Sequence, residues 1–129
     1  MASISANIEK ELYRIEIKTP TGNILFADEP IEKGGKNKGF SPRELLASSL
    51  AACTCATVRM YADRKGWVLD KVNITIELTE EDGQTKFTRN LEFIGQLDET
   101  QRARLLTVAN ACPIHKILTG SIVIETTLR

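Results

Sequence analysis

Apolar Leu12, Tyr13, Ile15 and Ile17 are interleaved with Arg14, Glu16 and Lys18, a pattern that predicts a half-buried strand over Glu11 to Lys18. Pro20-Thr21-Gly22-Asn23 is turn chemistry, and Asn23 to Ala27 reads as the returning strand of a hairpin. Asp28 to Phe40, with Pro30, Gly34, Gly35 and Gly39, is expected to be a long loop. A helix start follows. Ser41 suits the N-cap, Pro42 the first helical position, and Glu44 completes a capping box. No Gly or Pro interrupts the chain from there to Gly66, a suitable C-cap, so the helix should span about 24 residues and roughly 36 Å. Its first two-thirds are rich in Ala, Ser and Thr and nearly free of charge, which predicts a central helix packed on most sides. Only the turns carrying Arg59, Asp63, Arg64 and Lys65 should be solvated.

Val72 to Leu78 and Thr85 to Gly95 are both β-rich, with Glu80-Glu81-Asp82-Gly83 as the turn between them. Asp98, with Gln101 three residues on, starts a second helix from Glu99 to about Ala111, with apolar positions Leu105, Leu106, Val108 and Ala109. Cys112-Pro113 interrupts it. Ile114 to Leu118 fits a short helical turn ending at Gly120, and Ser121 to Leu128 reads as a closing strand. The predicted order is β-β-α-β-β-α-(α)-β, an α+β domain with antiparallel sheet curled against helices. A length of 129 residues fits a single domain, 1–129.

Composition narrows the function. Hydrophobic residues make up 42%, charged residues 26%, and the net charge is zero, as in ordinary globular chains. A zero balance argues against a nucleic-acid partner, whose phosphates call for a basic excess. The charged N-terminus lacks the apolar core of a signal peptide, and Leu45 to Val58 is too rich in Ser, Thr and Ala to read as a membrane span. Three cysteines, an odd number, do not form a secreted disulfide framework. A cytoplasmic location is expected, with the cysteines acting as free thiols, metal ligands or redox groups.

Cys53 lies mid-helix, where a cysteine commonly packs as a small hydrophobe. Cys55 is about 200° further round the helix, so the two diverge, and the pattern does not say which faces a pocket. That divergence also disfavours a zinc site built from both of them with Cys112 and His115. Cys112 is placed to be the N-cap of the turn beginning at Pro113, where amide donors favour a thiolate. The only histidine, His115, follows three residues later, as a base, a thiol-perturbing cation or an incidental surface group. The GxSxG, P-loop, GxGxxG and HExxH patterns are all absent.

The run ADEPIEKGGKNKGFSPRELLASSLAACTCATVRMYADRKGW, Ala27 to Trp67, resembles the signature of OsmC-like proteins. There a glycine-bearing loop leads into a proline-started, alanine-rich helix that carries the first cysteine. The segment LDETQRARLLTVANACPIHKILTGSIVIETTL, Leu97 to Leu128, is similar to the family's C-terminal block with its Cys-Pro. Together they cover well over half the chain. The resemblance implies a curled antiparallel sheet around central helices, in an intertwined homodimer.

It further implies a thiol peroxidase of the OsmC/Ohr type. Cys53 matches the cysteine that attacks an organic hydroperoxide to form a sulfenic acid, and Cys112 the one that resolves it as a disulfide. A dithiol such as a dihydrolipoyl group would then reduce that disulfide, with no metal or organic cofactor. The peroxidase branches also place a Glu ten residues before the first cysteine and an Arg in the N-terminal hairpin. Here Arg43 holds the former position, Glu44 is one residue later on the face away from Cys53, and Arg14 precedes the hairpin turn. The chain resembles the OsmC-like branch more than the Ohr branch. The rival expectation is a non-enzymatic member that binds or senses an apolar or thiol-reactive small molecule.

Overall fold

A computed structural model describes all residues, Met1–Arg129. The chain divides into two compact units, Met1–Leu46 and Ala47–Arg129. Both are built of antiparallel sheet and helix, as an α+β chain should be.

The N-terminal unit holds a three-stranded sheet in the order β1 (Ser5–Ile8), β2 (Ile15–Lys18), β3 (Ile24–Ala27). The expected hairpin is present, with Lys18 opposite Ile24 and Ile15 opposite Ala27. Its turn is closed by the Thr19 amide on the Asn23 carbonyl at 2.9 Å, with Gly22 at φ 100°. Two expectations are corrected. β1, not expected from the sequence, adds a fully exposed strand that pairs with β2 through its main chain. The strand expected from Glu11 starts only at Ile15, since Glu11 to Arg14 turn back on themselves and the Arg14 amide bonds the Glu11 carbonyl at 3.1 Å.

The long loop after β3 is organised by one buried carboxylate. Asp28 accepts the backbone N–H groups of Tyr13, Glu29, Lys36 and Lys38 at 2.8–3.3 Å. A short 3-10 turn, Ile31–Lys33, lies within it. Gly35 is required there, because a Cβ would come within 1.9 Å of the Glu29 carbonyl oxygen. Burial pushes the Asp28 carboxyl up, but the four amide donors outweigh it and hold the group below the ordinary aspartate value.

Helix α1 runs from Pro42 to Lys65 with the boundaries its caps predict. The Ser41 amide donates to Glu44 Oε1 at 2.8 Å, and the Glu44 amide to Ser41 Oγ at 3.2 Å. Gly66 ends it at φ 70°. Within the C-terminal unit α1 buries one stripe, Leu50, Thr54, Val58 and Ala62, at spacing i, i+4. The expectation of packing on most sides is therefore corrected: elements of a single chain cover one face. Arg59, expected to be solvated, is half-buried and donates to the Leu69 carbonyl at 2.6 Å.

Strands β4 (Lys71–Glu81) and β5 (Gln84–Ile94) form one long hairpin. Its turn is only Asp82-Gly83, both at positive φ, so Glu80 and Glu81 belong to the strand rather than to the turn. Helix α2 (Glu99–Ala109) opens with the expected Asp98–Gln101 capping box and stops two residues before Ala111. Leu105, Val108 and Ala109 are buried, whereas Leu106 is 52% exposed and does not join the core. Val58, Ala62, Leu69, Leu105 and Ala109 form that core, with Trp67, Leu91 and Phe93 packed against it. Helix α3 (Pro113–Thr119) follows.

The closing strand expected over Ser121 to Leu128 is not formed. All these residues are exposed and without regular structure, and no strand of the chain pairs with them. A strand needs a partner edge for its amides and carbonyls, and β-branched composition by itself does not supply one. The strands are antiparallel throughout, in the orders β1-β2-β3 and β4-β5.

Candidate active site

Three elements of the C-terminal unit meet at the Cys112 sulfur. Cys112 is fully buried and caps α3, with Pro113 at the first helical position and the His115 amide donating to Sγ at 3.3 Å. From α1, Thr54 is also fully buried, and its Oγ1 lies 3.8 Å from that sulfur. The same hydroxyl donates to the Leu50 carbonyl at 2.7 Å, the local back-bond a helix offers a buried threonine. Cys53, half-buried beside Thr54 on α1, places its thiol in hydrogen-bond contact with the Cys112 sulfur.

The third contribution is Arg89, from β5. Its Nη1 donates to Thr54 Oγ1 at 3.0 Å, and its Nη2 reaches Asn110 Oδ1 at 2.7 Å and His115 Nδ1 at 3.1 Å. One guanidinium thus ties α1, the end of α2 and α3 together, with its donors fixed in a rigid fork. Arginine has no acceptor, so His115 Nδ1 must accept and the imidazole proton resides on Nε2.

These contacts decide the charge preference of Cys112. Burial, the largest single influence, pushes its thiol up. The His115 amide, the Thr54 hydroxyl, the Cys53 thiol and the positive charge of Arg89 together outweigh burial and hold it below the ordinary cysteine value. The result is a buried sulfur that ionises more readily than an ordinary cysteine, next to a more accessible thiol. Such a pair can exchange a proton and is suited to thiol–disulfide chemistry.

Of the residues singled out in the sequence, Cys53, Cys112 and His115 come together here. Cys55 is half-buried and points away around α1. Arg14, Arg43 and Glu44 belong to the N-terminal unit. There the Arg14 guanidinium lies 4.0 Å over the Phe26 ring, Arg43 is in the first turn of α1, and Glu44 closes the capping box with Ser41. The basic group at Cys112 is Arg89, which the sequence reading missed along with Thr54 and Asn110. A signal for Arg89 was present: it takes an inward place in the alternation Phe87, Arg89, Leu91, Phe93, each of them half-buried. No three His, Cys, Asp or Glu side chains gather as they would around a metal ion.

Comparison with known proteins sets this site in a family. No curated protein matches the sequence. Solved structures do match its fold. The OsmC-like protein of Mycoplasma pneumoniae is 22% identical with a TM-score of 0.78, over 93% of this chain and 88% of its own. The organic hydroperoxide resistance protein OsmC of Legionella pneumophila is 23% identical with a TM-score of 0.66, over 93% and 91%. The organic hydroperoxide resistance protein OhrB of Bacillus subtilis is 22% identical with a TM-score of 0.63, over 93% and 91%. The sequence itself matches the family model described as OsmC-like protein across residues 35–127, a span that contains both Cys53 and Cys112. Covering most of the chain, that match makes this protein a member of the OsmC-like family.

Proposed function

We propose that the protein reduces organic hydroperoxides through Cys53 and Cys112. The observation that carries this reading is the contact of a half-buried Cys53 thiol with a buried Cys112 sulfur that also receives the His115 amide and faces the Thr54 hydroxyl. Solvent access supports these roles. A hydroperoxide can approach Cys53, whereas Cys112 is reached only through its neighbours.

In the first step the Cys53 thiolate attacks the distal peroxide oxygen. The S–O bond forms as the O–O bond breaks, and the departing alkoxide takes a proton to become the alcohol. In the second, the Cys112 thiolate attacks the Cys53 sulfur. The S–S bond forms, the S–O bond breaks, and hydroxide leaves to be protonated as water. A dithiol, such as a dihydrolipoyl group, then exchanges with the disulfide and restores both thiols while being oxidised itself. The names of the Legionella and Bacillus proteins, both hydroperoxide resistance proteins, support the substrate class.

The same reading places the working protein in the cytoplasm as an intertwined homodimer. Helix α1, buried along a single stripe, and the unpaired, β-branched tail Ser121 to Leu128 support a second copy as the missing partner. In solution the mass should be twice that of the chain.

The test is turnover of an organic hydroperoxide with dihydrolipoamide by wild type, Cys53→Ser, Cys112→Ser and Cys55→Ser. Loss in the first two variants and retention in the third is expected. Turnover surviving Cys53→Ser would overturn the assignment. Absence of turnover in wild type would favour the non-enzymatic binding or sensing reading.

A further inference from the structure

Thr54 has one hydroxyl hydrogen and two claimants for it. Leu50 carbonyl oxygen lies 2.7 Å from Oγ1, and the Cys112 sulfur lies 3.8 Å away on the same hydroxyl. Arg89 Nη1 donates to Oγ1 at 3.0 Å and so occupies one of its lone pairs. While Cys112 carries its proton, the hydroxyl hydrogen is best placed on Leu50 and the remaining lone pair can accept from the Cys112 thiol. Once Cys112 is a thiolate it can only accept, and the hydroxyl is the buried donor on the α1 side that is free to rotate.

We infer that Thr54, held and polarised by Arg89, is a positioning residue whose hydroxyl hydrogen turns from the Leu50 carbonyl to the Cys112 sulfur when that sulfur ionises. The Cys112 S–H bond breaks and its proton passes to water; the hydroxyl rotates with no bond made or broken. Arg89 matters twice, as a charge facing the sulfur and as a donor that fixes the orientation of Oγ1. The other groups facing Cys112 are the Cys53 thiol from α1 and His115 from α3, whose amide bonds the sulfur and whose Nδ1 is engaged by Arg89. A buried hydroxyl at this position is thereby explained, where valine of similar shape would pack without needing a partner. The inference rests on the proposed peroxidase only for what the thiolate is used for, namely resolving the Cys53 sulfenic acid.

The test separates the two. In a Cys53→Ser, Cys55→Ser chain, Cys112 is the sole thiol, and its ultraviolet thiolate absorbance is followed against pH. Adding Thr54→Val should lower the thiolate fraction at neutral pH about tenfold, as loss of a hydrogen bond to a charged group does. Thr54→Ser should keep the parent titration, because it keeps the hydroxyl, and Arg89→Gln should shift it in the same direction as Thr54→Val. A Thr54→Val chain that titrates like the parent, or a Thr54→Ser chain that shifts with it, overturns the inference. Should Thr54→Val not fold, an unshifted Arg89→Gln titration overturns it equally. In the chain with all its cysteines, Thr54→Val should slow disulfide formation after one equivalent of hydroperoxide. If wild type forms no disulfide, the peroxidase reading fails and the absorbance titration still decides the role of Thr54.

Discussion

The guanidinium of Arg89 donates to Nδ1 of His115 at 3.1 Å, and since arginine can only donate, the imidazole proton resides on Nε2. Nitrogen NMR of the imidazole should therefore report the Nε2–H tautomer in wild type and a mixture in Arg89→Ala. The same substitution also removes a donor from Asn110 and from Thr54, and should cost about 1–3 kcal/mol in urea denaturation. An Nδ1–H tautomer in wild type would contradict this arrangement.

Cys112 makes stability depend on pH in a stated direction. Its folded thiol lies below the ordinary value of 9.0, so the folded state releases this proton more readily than the unfolded chain does. The stabilisation is fully present above the unfolded value and is lost as pH falls through the folded one. Between those two values, wild type should gain stability relative to Cys112→Ser as pH is raised. Denaturant midpoints measured for both chains across that range check the slope; a gap that narrows with rising pH would refute it.

Asp28 acts with the same sign in the acid range. Its carboxyl, accepting four backbone amides, lies below 3.8 in the folded chain, so its contribution is lost as pH falls through that lowered value. Asp28→Asn cannot accept from all four amides with two oxygens, and should destabilise the loop from Glu29 to Lys38 at neutral pH. Hydrogen exchange at the Lys36 and Lys38 amides is the measurement. Faster exchange in the variant than in wild type, with a difference that shrinks on acidification, is expected.

Adjacent leucines on α2 should respond very differently. Leu105 is fully buried in the core and Leu106 is 52% exposed. Leu105→Ala should cost about 2–5 kcal/mol, through lost burial and the cavity left behind. Leu106→Ala should change the stability of the isolated chain by no more than about 0.5 kcal/mol. A cost at Leu106 comparable to that at Leu105 would place that side chain in an interface.

What could be read from the sequence was what neighbouring residues decide among themselves. Ser41 with Glu44, Gly66, Asp98 with Gln101, and Cys112 with Pro113 set every α-helix start and the end of α1, because a cap is a hydrogen bond or a backbone preference within a few residues. The two cysteines were identified by their resemblance to a family, and helix periodicity turned Cys55 away from Cys53. Strand pairing was less legible. β1 exists by virtue of β2, while Ser121 to Leu128 has the β-branched composition of a strand and no edge to join.

The surroundings of Cys112 were settled only by tertiary structure. Arg89 is 35 positions from Thr54 and 26 from His115, so nothing local in any of the three announces the others. Their meeting depends on the register of β5 and on where α1 and α3 are packed. The charge of a buried sulfur is the sum of burial, donors and nearby charge in space, and sequence order carries none of these directly. The sequence by itself determined which cysteines to watch and where the helices begin; folding decided that Cys53 meets Cys112 and that an arginine on a strand attends them.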